Sequence, residues 1–172
     1  MSSSTPATIL LTDRLRLREL CEDDAPFILE LLNEPSFIEN IVDKGVRTID
    51  HACEYINRGP VESYQQHGFG LYLTELKDEK TPIGLCGLLK RDGLDHPDIG
   101  YAFLPKYWSK GYAVESAAAT LNYARQTLKI PQVVGITGPE NIGSARVLEK
   151  IGLKFKRMIN LGGELSDTKY YS

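Results

Sequence analysis

The segment Trp108-Ser109-Lys110-Gly111-Tyr112-Ala113 stands between an apolar run that ends at Pro105 and an alanine-rich run with helical spacing. A strand-to-helix turn of this kind can bind an anion. The first amides of a helix have no carbonyl partner, and the helix dipole adds to their pull on a phosphate. Gly111 suits the purpose, because a side chain there would hold an anion away from the backbone. Lys106 and Lys110 can add charge to the same turn or simply stand in solvent. Further on, Asn141 precedes Ile142, Ala145, Leu148 and Ile151 at helical spacing and is a good N-cap for that helix. Ser144 lies one turn later. His96, which can titrate near neutrality, and Asp98 lie just ahead of the apolar run; their plain readings are a loop histidine and a solvated strand-end aspartate.

The composition limits what such groups can act on. The chain has 172 residues, and its 20 Lys and Arg against 23 Asp and Glu leave a net charge of −3. That length suits one domain, 1–172, with a sizeable core. The balance of charge argues against general nucleic-acid binding and tolerates cationic partners such as amines or basic peptides. No apolar stretch approaches the roughly 20 residues of a membrane span. The opening Met-Ser-Ser-Ser-Thr-Pro lacks the pattern of a secretory signal. Cys21, Cys53 and Cys86 are three widely spaced cysteines without a CxxC pair, so neither a disulfide framework nor a metal site is expected. A cytoplasmic setting follows from the same cysteine usage.

The elements that must position these groups follow from periodicity. Residues 13–20 alternate as a strand with Leu15 and Leu17 inward. Arg14, Arg16 and Arg18 share its other face, read as solvated, with a binding role as the alternative. Asp23 or Asp24 can cap a helix running through residue 34. A helical region over 48–67 should be broken in two by Gly59-Pro60. Strands are predicted over 69–76, 82–91 and 98–104. A helix over 112–128 follows, with Val114, Ala117, Ala118, Leu121, Ala124 and Leu128 as its inner stripe. A strand over 132–137, a helix over 141–151 and strands over 153–159 and 168–172 complete a mixed α/β pattern. Glu115, in the first turn of the long helix, reads as compensation of the helix dipole.

This order resembles that of the GNAT superfamily of acyl-CoA-dependent N-acetyltransferases. The resemblance rests on four segments in sequence. Thr12-Asp-Arg-Leu-Arg-Leu-Arg18 looks like the opening strand of the branch containing the ribosomal-protein N-terminal acetyltransferases. Asp98-Ile-Gly-Tyr101 and Tyr107-Trp-Ser-Lys-Gly-Tyr-Ala113 look like its fourth strand and pyrophosphate loop, and Asn141 through Gly152 like its second cofactor motif. The family's loop pattern, Arg/Gln-x-x-Gly-x-Gly/Ala, is met by Gly111 and Ala113. Trp108 replaces the Arg/Gln, and Ser109 stands where the branch usually has glycine, which costs little at negative φ and more at positive φ.

The resemblance implies a mostly antiparallel sheet of six to seven strands, splayed between strands 4 and 5, with about four helices. It implies acetyl-CoA as co-substrate and no metal. The amides of Ser109, Lys110, Gly111, Tyr112 and Ala113 would hold its pyrophosphate, with Trp108 beside them. The backbone of Ala102, Phe103 and Leu104 would meet its pantetheine arm, and Asn141 and Ser144 would contact it from the second motif. An amine would attack the thioester directly, with Asp98 as base. Many family members place a tyrosine acid where Leu148 stands here, and Ser144 is the nominated substitute. The acceptor implied is a peptide or protein N-terminal α-amine. The alternatives are a small-molecule amine (amino acid, polyamine or antibiotic) and a non-catalytic acyl-CoA-binding module. Relatives occur as monomers or homodimers.

Overall fold

In the computed structural model, which describes residues 6–172, the alternating run is a strand whose Leu15 and Leu17 are fully buried. It is the second of five antiparallel strands in the order β1 (Thr8–Leu11), β2 (Leu15–Arg18), β3 (Leu71–Leu76), β4 (Thr81–Leu89) and β5 (Asp98–Phe103). A second sheet pairs β6 (Gly135–Thr137), β8 (Thr168–Tyr171) and β7 (Phe155–Ile159), with β8 in the centre. One parallel bridge, between Asp98 and Val134, joins the two sheets. The predicted splay is therefore present. It falls between β5 and β6, because the half-exposed run Thr8–Leu11 adds a strand at the N-terminal edge.

Helices cover both faces of the larger sheet. On one face α1 (Ala25–Leu32), α2 (Pro35–Asn40) and α3 (Ile49–Ile56) bury Ile28, Leu31, Phe37 and Ile56 against Leu73 and Leu85. On the other, α5 (Tyr112–Gln126) and α6 (Ile142–Lys150) bury Ala117, Leu121, Ala124 and Leu148 against Tyr72, Cys86 and Phe103. Counting α4 (Glu62–His67), six α-helices are found among the described residues, more than the four expected. One reason lies at Pro35, which starts α2 as a separate helix at its first position. Gly59-Pro60 does not break the following region. Residues Asn57–Val61 form a wide π-turn that carries Pro60 inside it and feeds directly into α4.

The inner stripe of α5 also differs from its prediction: Ala118 faces solvent, while Ser116 and Thr120 are fully buried. Their hydroxyls donate to the carbonyls of Tyr112 and Ser116, both at 2.8 Å, so burial leaves neither unsatisfied. Among the described residues, no helix is long and apolar enough to cross a membrane, and no group of His, Cys, Asp and Glu could hold a metal ion.

The arginine face of β2 is not a solvated stripe. Arg16 and Arg18 both reach Glu75 on β3, whose side chain is only 2% exposed. Arg18 also donates to both oxygens of Asp24, at 2.7 and 2.9 Å. The Asp24 carboxylate consequently serves this network and the Cys21 amide (3.0 Å) and makes no side-chain cap on α1. Removing one member of a buried ion network leaves the others uncompensated. Glu75→Ala is expected to cost about 3 kcal/mol of stability, measurable by urea denaturation at neutral pH.

Candidate functional site

The chain leaves β5 through a short 3-10 turn, Pro105–Tyr107, and then runs extended at Trp108. The Trp108 indole N–H donates to the Phe103 carbonyl at 2.8 Å and folds the loop back on the strand. Ser109 then takes φ +60° and Gly111 takes φ +85°, both left-handed. The positive φ at Ser109 carries a cost of about 1–2 kcal/mol that glycine would avoid. Backbone amides 109–113 have no protein partner among the described residues, and α5 begins at Tyr112. A helix N-terminus with free amides and positive-φ residues ahead of it has the geometry of an anion cradle.

Arg14 braces the cradle from β2's leading turn. Its Nε donates to Glu115 at 2.7 Å, one terminal nitrogen donates to the Lys110 carbonyl at 2.9 Å, and the guanidinium lies 4.4 Å above the Tyr112 ring. Glu115 also accepts from the Arg14 amide at 3.0 Å and from the Thr12 hydroxyl at 2.6 Å. Glu115 stands in the first turn of α5, as expected for dipole compensation, and bonds β2's leading turn as well. At Gly111 the backbone angle favours glycine, and a Cβ would lie 3.2 Å from the other Arg14 terminal nitrogen and press on the brace.

Beyond Asp98 the two sheets separate. The Ile99 amide donates to Val134 and the Val134 amide to Pro97, both at 2.9 Å, and no further rung follows. A cavity of about 1090 Å³ fills the gap, walled by β5, β6, α6, the loop and residues of α2. Which β5 groups face it follows from parity. Leu104 donates to Ile83 on β4 at 3.0 Å, so the even-numbered amides, Ala102 and Leu104 included, are spent inside the sheet. The odd-numbered ones, Tyr101 and Phe103, face the gap. Ala102, Phe103, Trp108, Ser109, Gly111, Tyr112, Ala113, Asn141 and Ser144 line the cavity, whereas Leu104 and Lys110 do not. Leu104 is buried in the core beneath α1 and α3, and Lys110 carries its ammonium 5.9 Å from the Tyr107 ring.

Asn141 caps α6 by accepting the Ser144 amide at 3.1 Å. Ser144 is half-buried, and its hydroxyl meets the Tyr101 hydroxyl at 3.0 Å, which also donates to the Ser144 carbonyl at 2.9 Å. Tyr101 therefore ties β5 to α6 across the cavity, and its burial pushes the phenol pKa up, keeping it protonated. Leu148 is fully buried under Gly135, where a Cβ would come within 2.5 Å of it, so it offers no group to the cavity.

Asp98 is 1% exposed, not a solvated strand end. The Arg91 Nε stands 3.1 Å from each of its oxygens. Burial raises the Asp98 pKa above the ordinary carboxylate range, against the opposing pull of Arg91. His96 does not line the cavity. Arg91 is the site neighbour that sequence patterns missed; Arg14 and Tyr101 lay inside the recognised segments Thr12–Arg18 and Asp98–Tyr101, Tyr101 with no role assigned and Arg14 read as solvated with a binding role as the alternative.

The family model described as "Acetyltransferase (GNAT) domain" matches residues 14–154. Over 167 residues the chain is 31% identical to the uncharacterized N-acetyltransferase YnaD of Bacillus subtilis, covering 95% of each. A GNAT-family acetyltransferase structure from Bacillus anthracis superposes with TM-score 0.77 at 30% identity, over 94% of this chain and 95% of that one. The structure of RimL, a ribosomal L7/L12 α-N-protein acetyltransferase in complex with coenzyme A, shares the fold at TM-score 0.81 and 18% identity, over 96% of each chain.

The brace has a pH signature. Burial alone would raise the Glu115 pKa, but bonds from Thr12 and from the Arg14 amide and guanidinium outweigh it and lower the value. A lowered carboxylate pKa contributes stability above the unfolded value and loses it as pH falls through the folded one. Glu115→Gln is expected to destabilise the protein at pH 7. Its denaturation midpoint should converge on that of the parent as pH falls below ~4.

Proposed function

The chain belongs to the GNAT acetyltransferase family, and from that membership we propose that it moves an acetyl group from acetyl-CoA to a primary α-amine, at the N-terminus of a peptide or protein. The observation that carries this reading is the open gap between β5 and β6, with unpaired amides 109–113 at one end and the buried Asp98 at the other. The free amides suit a pyrophosphate, and the odd-numbered edge of β5 suits an extended amide-bearing arm that pairs as a strand would. Acetyl-CoA supplies a thioester carbon open to attack by an amine.

The residues then divide the work. Amides 109–113 bind the anion, with Arg14 and Glu115 fixing the loop that carries them. An edge amide of Tyr101 or Phe103 polarises the carbonyl that is attacked. The amine forms the new C–N bond as the C–S bond breaks. Asp98 takes the amine's proton, directly or through one water. With the Tyr101 O–H turned to the Ser144 hydroxyl in place of the Ser144 carbonyl, the Ser144 O–H is free to donate a hydrogen bond to the departing sulfur. A thiol has a pKa near ~8.5, so its anion leaves with no stronger acid than this, and Leu148 costs the reaction little. Tyr101 steadies Ser144 and gives up no proton, because its phenol is a weaker acid than a thiol.

Acceptor acidity supports an α-amine. With a pKa of about 8, roughly a tenth is neutral at pH 7, against a few parts in ten thousand for a lysine side chain near ~10.4. Thiol release from acetyl-CoA across N-terminal peptides, lysine, polyamines and aminoglycosides tests the reading, and N-terminal peptides should be turned over fastest. Faster lysine or polyamine acetylation would refute it, and tight acetyl-CoA binding without release would make the chain a binding module.

The base assignment makes a separate prediction. Asp98 must be deprotonated to accept a proton, so activity should fall on the acid side, through a limb displaced above the ordinary ~3.9 of aspartate. Asp98→Asn is expected to abolish that limb in kcat/KM and to lower kcat by about 10²–10⁴. A mutant profile that keeps the same limb would assign the base elsewhere.

A further inference from the structure

At the end of β5 remote from the loop, the cavity wall carries Lys44 and Arg91 together with Asp98 and Glu164. The two carboxylates differ in standing. Asp98 is buried and already engaged by the Arg91 Nε, whereas Glu164 lies exposed on the turn Gly163–Leu165. The terminal nitrogens of Arg91 have no hydrogen-bond partner among the described residues, although the side chain is only 36% exposed. Lys44 makes no ion pair among those residues. Loss of water around its ammonium, and next the charge of Arg91, pull its pKa down, while Glu164 acts the other way. Arg91, beside the carboxylate nominated as base, and Lys44 on the same cavity wall are thus two donor-rich cations with hydrogen-bonding capacity unspent.

Resting on the acetyltransferase reading above, we infer that Lys44 and Arg91 form an acceptor subsite for a carboxylate carried a few bonds from the amine that is acetylated. The arrangement suits such a molecule at both ends. Its carboxylate meets the free guanidinium nitrogens and the ammonium, where charge-assisted hydrogen bonds are strongest. Its amine lies beside the same cations, which disfavour the ammonium form and raise the neutral, nucleophilic fraction. A polyamine would instead bring a second positive charge against Lys44 and Arg91. The carboxylate has two possible sources: the free α-carboxylate of an amino acid, or the side chain of Asp or Glu near a peptide N-terminus.

Matched acceptor pairs test the subsite and separate the sources. Tripeptides beginning Asp or Asn form one pair, and a free amino acid with its α-amide forms the other. The carboxylate member of at least one pair is expected to be favoured about tenfold or more in kcat/KM, the scale of a charge-assisted hydrogen bond. Which pair shows the preference identifies the source. Lys44→Gln should remove most of the preference and Lys44→Arg should keep it. Half-molar salt should narrow it, because Lys44 is exposed. Equal rates within both pairs, or faster turnover of a basic peptide or spermidine, would overturn the inference. If no acceptor releases thiol, the transferase reading fails separately. Calorimetric titration of the same pairs into the CoA-saturated protein then decides: tighter binding of the carboxylate member, lost in Lys44→Gln, upholds the subsite, and equal binding overturns it.

Discussion

A hydrogen-bond ladder that is started and not continued governs the working side of this molecule. Val134 exchanges rungs with Pro97 and Ile99, and after that β5 and β6 draw apart. An unpaired strand edge inside a protein is costly unless something satisfies its amides and carbonyls. Part of the edge is satisfied from within, since the Phe103 carbonyl accepts the Trp108 indole N–H. The rest lines the cavity. The separation is held open from both flanks: α5 and α6 are seated on a common core through Leu121 and Leu148, and Tyr101 reaches across to Ser144. The gap is therefore as much a packed feature of the fold as the sheet beside it.

Charge is used in two different ways around that gap. The Arg16–Glu75–Arg18–Asp24 network lies under the sheet's N-terminal edge, largely out of water, and sets how β2, β3 and the start of α1 sit together. The Arg14–Glu115 pair is more exposed, at 46% and 21% of side-chain area, and isolated pairs of that kind contribute little to stability. Its value is geometric. By holding the Lys110 carbonyl, Arg14 turns that oxygen away from the anion cradle and presents the neighbouring amides instead. The same guanidinium constrains Tyr112, the first residue of α5, through its ring.

How much of this was legible in the sequence depended on how local the cause was. The strand, the turn around Gly111, the helix after it and the cap at Asn141 arise from neighbouring residues, and the sequence pattern reads them. The Arg14–Glu115 contact joins residues 101 apart, and neither carries a local sign of the other. Ser109 was recognisable as a departure from the branch pattern, but its positive φ depends on the fold around it. Which amides of the Ala102–Leu104 segment face the gap was not legible, because strand parity is set by β4 and not by the residues of β5 themselves. Pro60 illustrates tertiary structure overriding a local rule, since a π-turn accommodates the residue that should have ended the helix. Asp98 looked solvated because its partner, Arg91, arrives from beyond the end of β4.

One feature of the loop has a use beyond holding its shape. Trp108 is the chain's single tryptophan; it is 48% exposed, lines the cavity, and is tethered by its ring nitrogen to β5. All indole emission from this protein therefore originates at one point, beside the free amides and next to the splayed edge. The molecule carries its own optical probe at that location, and whatever alters the polarity or rigidity of the loop alters its fluorescence without any added label.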